Sequence, residues 1–183
     1  MAPRNPGHHL TASAPNLKEA HLAALTDGSG ISPGIIRERG YETVMGKVTL
    51  RDLGFNKAQQ KLAPALLIPL HGVDGNVGGY QIRPDEPREL RGKAAKYEFP
   101  SGSKQLLDVP PRCKRDLDDP EVPLWLTEGA KKADALASVG LCAINLNGVY
   151  GWRGTNAKGG KTALADWESV ALNDRVVNVV FDS

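Results

Sequence analysis

The 183-residue sequence has few of the residues that hold small secreted domains together. Its two cysteines, Cys113 and Cys142, are too few for a disulfide framework or for a zinc site built from cysteine pairs. The longest apolar run, 63–70, contains two prolines and is far shorter than the roughly 20 residues of a membrane-spanning helix. The N-terminus has no apolar segment typical of a secretory signal. We therefore expect a cytoplasmic protein that has no membrane partner.

An excess of charge of one sign is also absent. The chain has 23 Lys and Arg against 21 Asp and Glu, so overall charge does not identify a nucleic-acid-binding protein. Hydrophobic residues make up 40% and charged residues 24%, which excludes wholesale disorder. The 20 glycines and 13 prolines predict many turns and short elements. Any basic surface must therefore be local.

The pattern along the chain predicts a lead-in and two units. Residues 1–16 are polar and proline-rich, and we expect them to be disordered. Residues 17–115 are predicted to form a helical and β-hairpin basic lobe, with helices starting after Asn16 and between Ser32 and Gly40. Residues 122–183 alternate strands and helices, which indicates an α/β unit.

A hairpin is predicted in the middle of the basic lobe. The run 65–70 is typical of a buried strand, the segment 71–76 contains an Asp-Gly turn, and 77–83 returns as the second strand. His71 at this turn is expected to face solvent. The adjoining stretch 83–115 carries nine basic and five acidic residues. A solvated loop explains that balance as well as a phosphate-facing surface does, and the glycine-rich hairpin beside it favours the second.

The α/β unit is predicted to contain three strands, 122–127, 141–146 and 175–181, with helices over 130–139 and 163–172. The last strand is almost continuously apolar, as expected at the centre of a parallel sheet. A glycine-rich loop, 147–160, follows the second strand and carries Trp152 and Arg153. These two side chains are candidates for nucleotide contacts, as are Tyr80 and Tyr97, with ordinary packing as the alternative.

Two acidic residues follow predicted strands, and this is where ligands bind in open parallel sheets. Glu128 follows the first strand and Asp182 the third, so the two carboxylates meet at one rim if those strands are neighbours. Such a pair suits Mg²⁺, a hard cation that shares oxygen ligands with phosphates. Gly129 would let a phosphate or the next loop approach Glu128 without a side-chain clash. The alternative is that both acids are helix caps or ordinary surface residues.

The segment 125–136, Trp-Leu-Thr-Glu-Gly-Ala-Lys-Lys-Ala-Asp-Ala-Leu, resembles the first motif of the TOPRIM domain, a hydrophobic strand, Glu-Gly and then a helix. Residues 179–182, Val-Val-Phe-Asp, resemble the start of its second motif, a strand followed by Asp-x-Asp. Segments 67–83 and 96–97 resemble, in order, the pattern that precedes TOPRIM in bacterial and phage primases. Over residues 20–183 the sequence resembles the TOPRIM-like domain of plasmid, phage and actinobacterial replication proteins catalogued as DUF3854.

This resemblance implies an α/β fold, with a TOPRIM-like, partly parallel sheet that is incomplete at the C-terminus, preceded by a small primase-like helical and β-hairpin lobe. It implies metal-dependent phosphoryl transfer on nucleic acid, with primer synthesis in the replication of a mobile element as the expected activity. Glu128 would serve in acid/base or metal chemistry, and Glu128 and Asp182 would hold Mg²⁺ or Mn²⁺. The implied partners are single-stranded DNA or RNA, nucleotides, and a helicase domain or protein.

Six basic residues are predicted to face phosphates, on different grounds. The resemblance implies Arg83 and Lys96, and the basic segment adds Arg88 and Lys93. Lys131 and Lys132 open the helix after Glu128, where a helix N-terminus already favours anions.

The sequence departs from the TOPRIM pattern at Ser183, after which the second acid of Asp-x-Asp is absent. We therefore expect weak metal binding and an inactive chain when it is tested alone, as a fragment of a longer protein or as a naturally short relative. Two other functions stay open: a non-catalytic module that binds nucleic acid or a partner protein, and a TOPRIM nuclease using the same metal site. The primase-like segment 65–97 argues by analogy against the nuclease.

Overall fold

Two three-stranded sheets, one antiparallel and one parallel, organise the chain in a computed structural model that describes residues 16–90 and 92–182. The predicted lead-in, apart from Asn16, and Ser183 lie outside the described residues. In the first part of the chain the elements are α1 (Glu19–Thr26), α2 (Pro33–Arg39), β1 (Glu42–Val44), α3 (Lys47–Asp52), a 3₁₀ turn (Gln59–Leu62), β2 (Ala65–His71), β3 (Val77–Pro84), β4 (Glu89–Leu90) and β5 (Lys93–Ala94). In the second part they are a 3₁₀ helix (Pro111–Asp116), β6 (Leu124–Thr127), α4 (Ala130–Ser138), β7 (Cys142–Asn145), β8 (Arg153–Thr155), β9 (Lys161–Ala163), a 3₁₀ helix (Ala165–Ser169) and β10 (Val177–Val180).

The ends of the second helix follow local sequence signals. The Ser32 hydroxyl accepts the Ile35 N–H at 3.4 Å, and Gly40 ends α2 in the left-handed conformation with φ of 78°. The first helix starts at Glu19 rather than directly after Asn16. The Asn16 carbonyl accepts the Thr43 N–H at 2.8 Å. Asn16 is therefore hydrogen-bonded to β1.

The hairpin of β2 and β3 is confirmed, with β2 at the centre of the antiparallel sheet in the order β1-β2-β3. β2 is buried on both faces, because Leu66 and Ile68 point into the larger core while Ala65 and Leu67 point into a smaller one. The prediction for His71 was wrong: it ends β2 and only 9% of it is exposed.

The parallel sheet has the order β10-β6-β7, which confirms three strands of an α/β unit. The prediction that the last strand lies at the centre was wrong, because β10 pairs only with β6 among the described residues and forms an edge. Val176, Val179 and Val180 are accordingly exposed. A continuous β-branched run thus indicated the strand correctly but not its neighbours.

The predicted helix over 163–172 is a second difference. Lys161–Ala163 instead pairs with Arg153–Thr155 as a small hairpin within what was predicted to be loop and helix, and only Ala165–Ser169 is helical, as a 3₁₀ segment. The Asp166 carboxylate accepts the Leu107 N–H at 2.8 Å, and the Trp167 indole donates to the Trp152 carbonyl at 2.9 Å. These contacts with distant segments replace the continued helix.

The larger core cluster contains side chains from both predicted lobes. Ile35 and Ile36 of α2 and Leu66 of β2 belong to the same cluster as Leu124 of β6 and Ile144 of β7. The helical and hairpin lobe therefore packs directly on the parallel sheet. The boundary between 115 and 122 stays a prediction about sequence units.

A buried ion-pair network crosses the same junction. The Arg39 guanidinium, whose side chain is fully buried, donates to both carboxylate oxygens of Asp134 on α4 and to Asp108. The Tyr41 hydroxyl donates to Asp134 at 2.6 Å, and the His71 N–H donates to Asp108 at 2.9 Å. The charges are therefore paired and hydrogen-bonded, as buried charges must be.

Within the described ranges, no helix is long and apolar enough to cross a membrane.

Candidate functional site

The carboxyl ends of the three parallel strands form one rim. Thr127 at the end of β6 is in register with Val180 of β10 and with Asn145 of β7. Glu128 follows β6 directly and Asp182 lies two residues beyond β10, so the strands place both acids at the same edge. The condition set by the sequence, that the first and third strands are neighbours, is met.

Lys132 joins the two carboxylates. It lies in the first turn of α4, four residues after Glu128, and its ammonium group contacts the Glu128 carboxylate and lies 2.5 Å from Oδ1 of Asp182. The Asp182 backbone N–H also donates to Oε1 of Glu128, at 3.2 Å. The Glu128 side chain is 17% exposed and that of Asp182 84%, so the pair lies at the surface with Glu128 on its inner side.

The contacts of this trio shift the pKa of each member. Partial burial raises the pKa of Glu128, but hydrogen bonds from Lys132 and the Asp182 amide outweigh burial and hold this pKa below its ordinary value. The hydrogen bond from Lys132 also lowers the pKa of Asp182. Burial lowers the pKa of Lys132, and the two carboxylates raise it by more. Both acids are therefore ionised and the lysine is charged at neutral pH.

Gly129 separates Glu128 from α4 and has open space beside it. Its backbone has φ of −146° and ψ of 136°, which any residue adopts, and an added Cβ would meet no atom within 4 Å. Neither strain nor packing inside the chain requires glycine at this position. The open space fits the expectation that a ligand approaches here.

Two cations, Arg83 on the hairpin and Lys131 on α4, lie near each other. Arg83 on β3 stacks over Tyr97, with its guanidinium carbon 5.6 Å from the ring centroid, and donates to the Tyr97 hydroxyl at 3.3 Å. Burial lowers the pKa of Lys131, and the positive charge of nearby Arg83 lowers it further. Arg83 and Lys131 have no ion-pair partner within the described ranges. Two neighbouring cations without a carboxylate between them favour binding of an anion.

The other predicted phosphate-binding residues lie in different surroundings. Arg88 makes a two-point ion pair with the buried Glu98, at 2.7 and 2.6 Å, so its charge is already compensated. Lys93 on β5 and Lys96 are exposed, and their side chains form no ion pair or hydrogen bond with another described residue. The structure thus brings Arg83 and Lys131 together, and separately Lys132 with the acids, but gives Arg88 a structural partner.

The donor groups at the rim fit a hard divalent cation. Two ionised carboxylates offer oxygen ligands, and the Lys132 ammonium already occupies the position of a cation between them. The described residues contain no group of three or more His, Cys, Asp or Glu that could hold a metal ion. Water or phosphate oxygens would have to complete the coordination, as is usual for Mg²⁺.

Sequence reasoning missed the support beneath the rim. The Asn145 side chain donates to Asp108 at 2.9 Å and to Asn147 at 2.8 Å, which ties the end of β7 to the Arg39 network. One signal was available: Asp134 falls on the apolar stripe of α4, with Ala130, Ala133 and Ala137. A carboxylate among core positions requires a buried cation, although sequence alone does not say which one.

Comparison with known proteins agrees with this architecture. Residues 115–183 match the model of the domain of unknown function DUF3854. This match covers the C-terminal part of the chain. An uncharacterized protein of Picosynechococcus sp. is 38% identical over 73 residues, which cover 36% of this chain and 7% of that protein. The resemblance to DUF3854 indicated by the Glu-Gly motif is therefore confirmed over residues 115–183.

Solved primase structures are similar to this chain beyond residues 115–183 as well. The zinc-binding and RNA polymerase domains of Aquifex aeolicus primase align over 92% of this chain and 44% of theirs, with a TM-score of 0.53 and 16% identity. The RNA polymerase domain of Mycobacterium tuberculosis primase DnaG aligns over 88% of this chain and 59% of its own, with a TM-score of 0.50 and 16% identity. A DnaG primase catalytic domain bound to single-stranded DNA gives a TM-score of 0.50 at 17% identity, over 87% and 52% of the two chains. The fold is therefore primase-like, and the chain spans about half of these primase chains.

Proposed function

We propose that this chain is a primase-like nucleic-acid-binding domain whose rim holds Mg²⁺ or Mn²⁺ for phosphoryl transfer. The observation that carries the proposal is the meeting of Glu128 and Asp182 around one bound ammonium group, that of Lys132. The primase-like fold also supports nucleic-acid binding, since one of the similar primase domains is bound to single-stranded DNA. The metal-dependent reaction and the nucleic-acid partner are both parts of the proposal.

The acidic and basic residues have different roles in the proposed site. Glu128 and Asp182 supply oxygen ligands, and Lys132 compensates one of their two negative charges until a divalent cation binds. Arg83 and Lys131 attract and position the phosphate backbone without reading its sequence. When bound, a divalent ion would stabilise charge on the attacking and leaving oxygens of an in-line displacement. Primer synthesis, with nucleotides as substrates and a helicase as partner, is the activity proposed for a longer protein that contains this unit.

Calorimetric titration tests the metal site directly. Mg²⁺ or Mn²⁺ is titrated into the wild-type chain, Glu128→Gln and Glu121→Gln, with and without a short single-stranded DNA. Glu121 is the matched control, because it is an exposed carboxylate at the opposite, amino-terminal side of β6. Loss of metal binding in Glu128→Gln alone supports the site. Equal binding by all three proteins would remove Glu128 from it.

Salt dependence tests the cation pair. Arg83→Gln and Lys131→Gln should each weaken binding to single-stranded DNA and lower the slope of log K against log salt by about 0.7 for each phosphate that the protein no longer neutralises. Arg37→Gln is the control, because Arg37 is exposed on α2 and has no ion-pair partner among the described residues. Slopes that match the control would exclude phosphate binding by Arg83 and Lys131.

A second candidate function is a binding module without catalysis. The observation that favours it is that the two carboxylates of the rim are already bound by Lys132, with no third acidic, histidine or cysteine ligand beside them in the described part of the chain. Single-strand binding that ignores both Mg²⁺ and the Glu128→Gln change would support this function. Metal-dependent cleavage of the same strand would instead indicate the nuclease.

A further inference from the structure

The loop after β7 is held firmly against the rim. The Leu146 N–H donates to the Thr127 carbonyl at 2.8 Å, and the Gly148 N–H donates to the Glu128 carbonyl at 3.0 Å. Gly151 closes the loop so tightly that an added Cβ would lie 1.5 Å from the Leu146 carbonyl oxygen. The loop that carries the next side chains is therefore attached to the Glu128 segment through its backbone.

Three of those side chains form an exposed stack, which we name the aromatic platform: Tyr150, Trp152 and Arg153. The Arg153 guanidinium carbon lies 5.0 Å from the centroid of the Tyr150 ring and 5.4 Å from that of Trp152. Tyr150 is 70% exposed and Trp152 39% exposed, so neither ring is buried in the core. The arginine covers part of both rings and leaves the remaining ring surface open to solvent.

The backbone, rather than the rings, attaches the platform to the protein. The Trp152 carbonyl accepts the Trp167 indole N–H at 2.9 Å and the Leu164 N–H at 3.2 Å. Holding the loop therefore does not require a large aromatic side chain at 150 or 152. Neighbouring exposed rings that are paired with a cation need another explanation.

We infer that the aromatic platform is a stacking site for an unpaired nucleobase of a single strand bound at the rim. Every base has a flat π-face, so aromatic side chains beside a cationic groove bind single strands with little sequence preference. The cation of Arg153 adds attraction for a stacked base. The inference rests on the proposed function, because Arg83 and Lys131 would bring the strand's phosphates to this part of the protein.

Paired oligonucleotides separate stacking from phosphate binding. Affinities of the full chain are measured by fluorescence anisotropy for a thymidine 12-mer and for an abasic 12-mer with the same number of phosphates. Tyr150→Leu keeps an apolar side chain but removes the π-face, and Tyr150→Phe keeps the face. Val149→Ala is the matched control, because Val149 is a neighbouring apolar side chain that is 48% exposed. Arg153→Met removes the cation.

We expect Tyr150→Leu and Arg153→Met to weaken binding of the thymidine strand about 5-fold or more, the lower end for loss of one stacked base. The abasic strand should lose less affinity, and Tyr150→Phe and Val149→Ala should match the wild type. Unchanged affinity of Tyr150→Leu for the thymidine strand, or equal losses for both strands, would overturn the platform while leaving the cation pair intact. A wild-type chain that binds neither strand would overturn the nucleic-acid function and the platform together.

Discussion

Arg39 is the residue on which the interior of this protein depends most directly. Its fully buried guanidinium is the shared ion-pair partner of Asp108 and Asp134. Burial alone would lower the pKa of Arg39, but the attraction of these carboxylates keeps it above the ordinary value. Removal of one partner from such a group leaves buried charges without compensation, which costs more than the pair itself contributes.

We predict that Arg39→Met lowers the free energy of unfolding by about 3–5 kcal/mol, because Asp108 and Asp134 then lie buried without a cation. Arg37→Met on the same helix is the control, since Arg37 is exposed and its replacement should change stability by less than about 0.5 kcal/mol. Urea denaturation of both variants measures the difference. Equal midpoints for the two variants would contradict the role given to Arg39.

Lys132 controls the ionisation of Glu128. We predict that Lys132→Met raises the pKa of Glu128, because burial, which raises it, is then opposed only by backbone hydrogen bonds. Titration of the carboxyl carbon by NMR measures this change, with the exposed Lys61→Met as control. A Glu128 pKa that is the same in Lys132→Met and in the wild type would show that the ion pair does not form in solution.

The same ion pair predicts a pH dependence of stability. The folded-state pKa of Glu128 lies below its unfolded value, so the ion pair stabilises the fold above about pH 4.3 and is lost as the pH falls through the folded pKa. Since the Lys132 side chain is 40% exposed, the stabilisation is under about 1 kcal/mol. The stability difference between wild type and Lys132→Met should therefore be present at pH 7 and decrease as the pH falls through the folded-state pKa of Glu128.

At the level of elements, the loop that follows β7 depends on one glycine. We predict that Gly151→Ala lowers the free energy of unfolding by about 1–3 kcal/mol and displaces the loop, because its Cβ would meet the Leu146 carbonyl at 1.5 Å and Gln105 Nε2 at 2.6 Å. Gly129→Ala is the control, as its Cβ would meet nothing within 4 Å. Thermal unfolding measures both, and comparable losses in the two variants would contradict the packing described for this loop.

The elements also show where sequence patterns are informative. The strand over 65–70 and the helix from Pro33 to Arg39 were predictable because apolar runs, a capping serine and a terminal glycine act locally. The helix predicted over 163–172 failed because Lys161–Ala163 pairs with β8 and Asp166 binds the Leu107 N–H. Pairing between segments overrides local helix propensity.

At the level of the whole molecule, one core joins the two predicted lobes. Ile35 and Leu66 from the first lobe belong to the same buried cluster as Leu124 and Ile144 from the second. The Arg39 network crosses the same junction. Neither lobe could therefore unfold without exposing part of the core of the other.

We predict a single cooperative unfolding transition. Because all three tryptophans, at 125, 152 and 167, lie in the second lobe, tryptophan fluorescence reports on that lobe, whereas far-ultraviolet circular dichroism reports on both. The two signals should change at the same urea concentration. Separate midpoints, or a stable fragment after protease cleavage within 116–123, would show instead that the lobes unfold independently.

The candidate site also contains residues that the sequence identifies and contacts that it does not. Glu128, Gly129 and Asp182 were identifiable from sequence, because a strand followed by an acid is a local pattern and parallel strands end at one edge. The proximity of Arg83 to Lys131 and the ion pair of Arg88 with Glu98 were not identifiable, since each involves segments whose approach is set by packing.

The sequence by itself determined most of the short helices and strands, the hairpin, and the acids that follow β6 and β10, because turn residues and apolar periodicity act over a few residues. Only the tertiary structure decided that β10 lies at an edge, that Lys132 stands between the carboxylates, and that Arg39 is paired deep in the core. These features depend on contacts between residues far apart in the chain. Such contacts form only when burial of one continuous core brings the segments together.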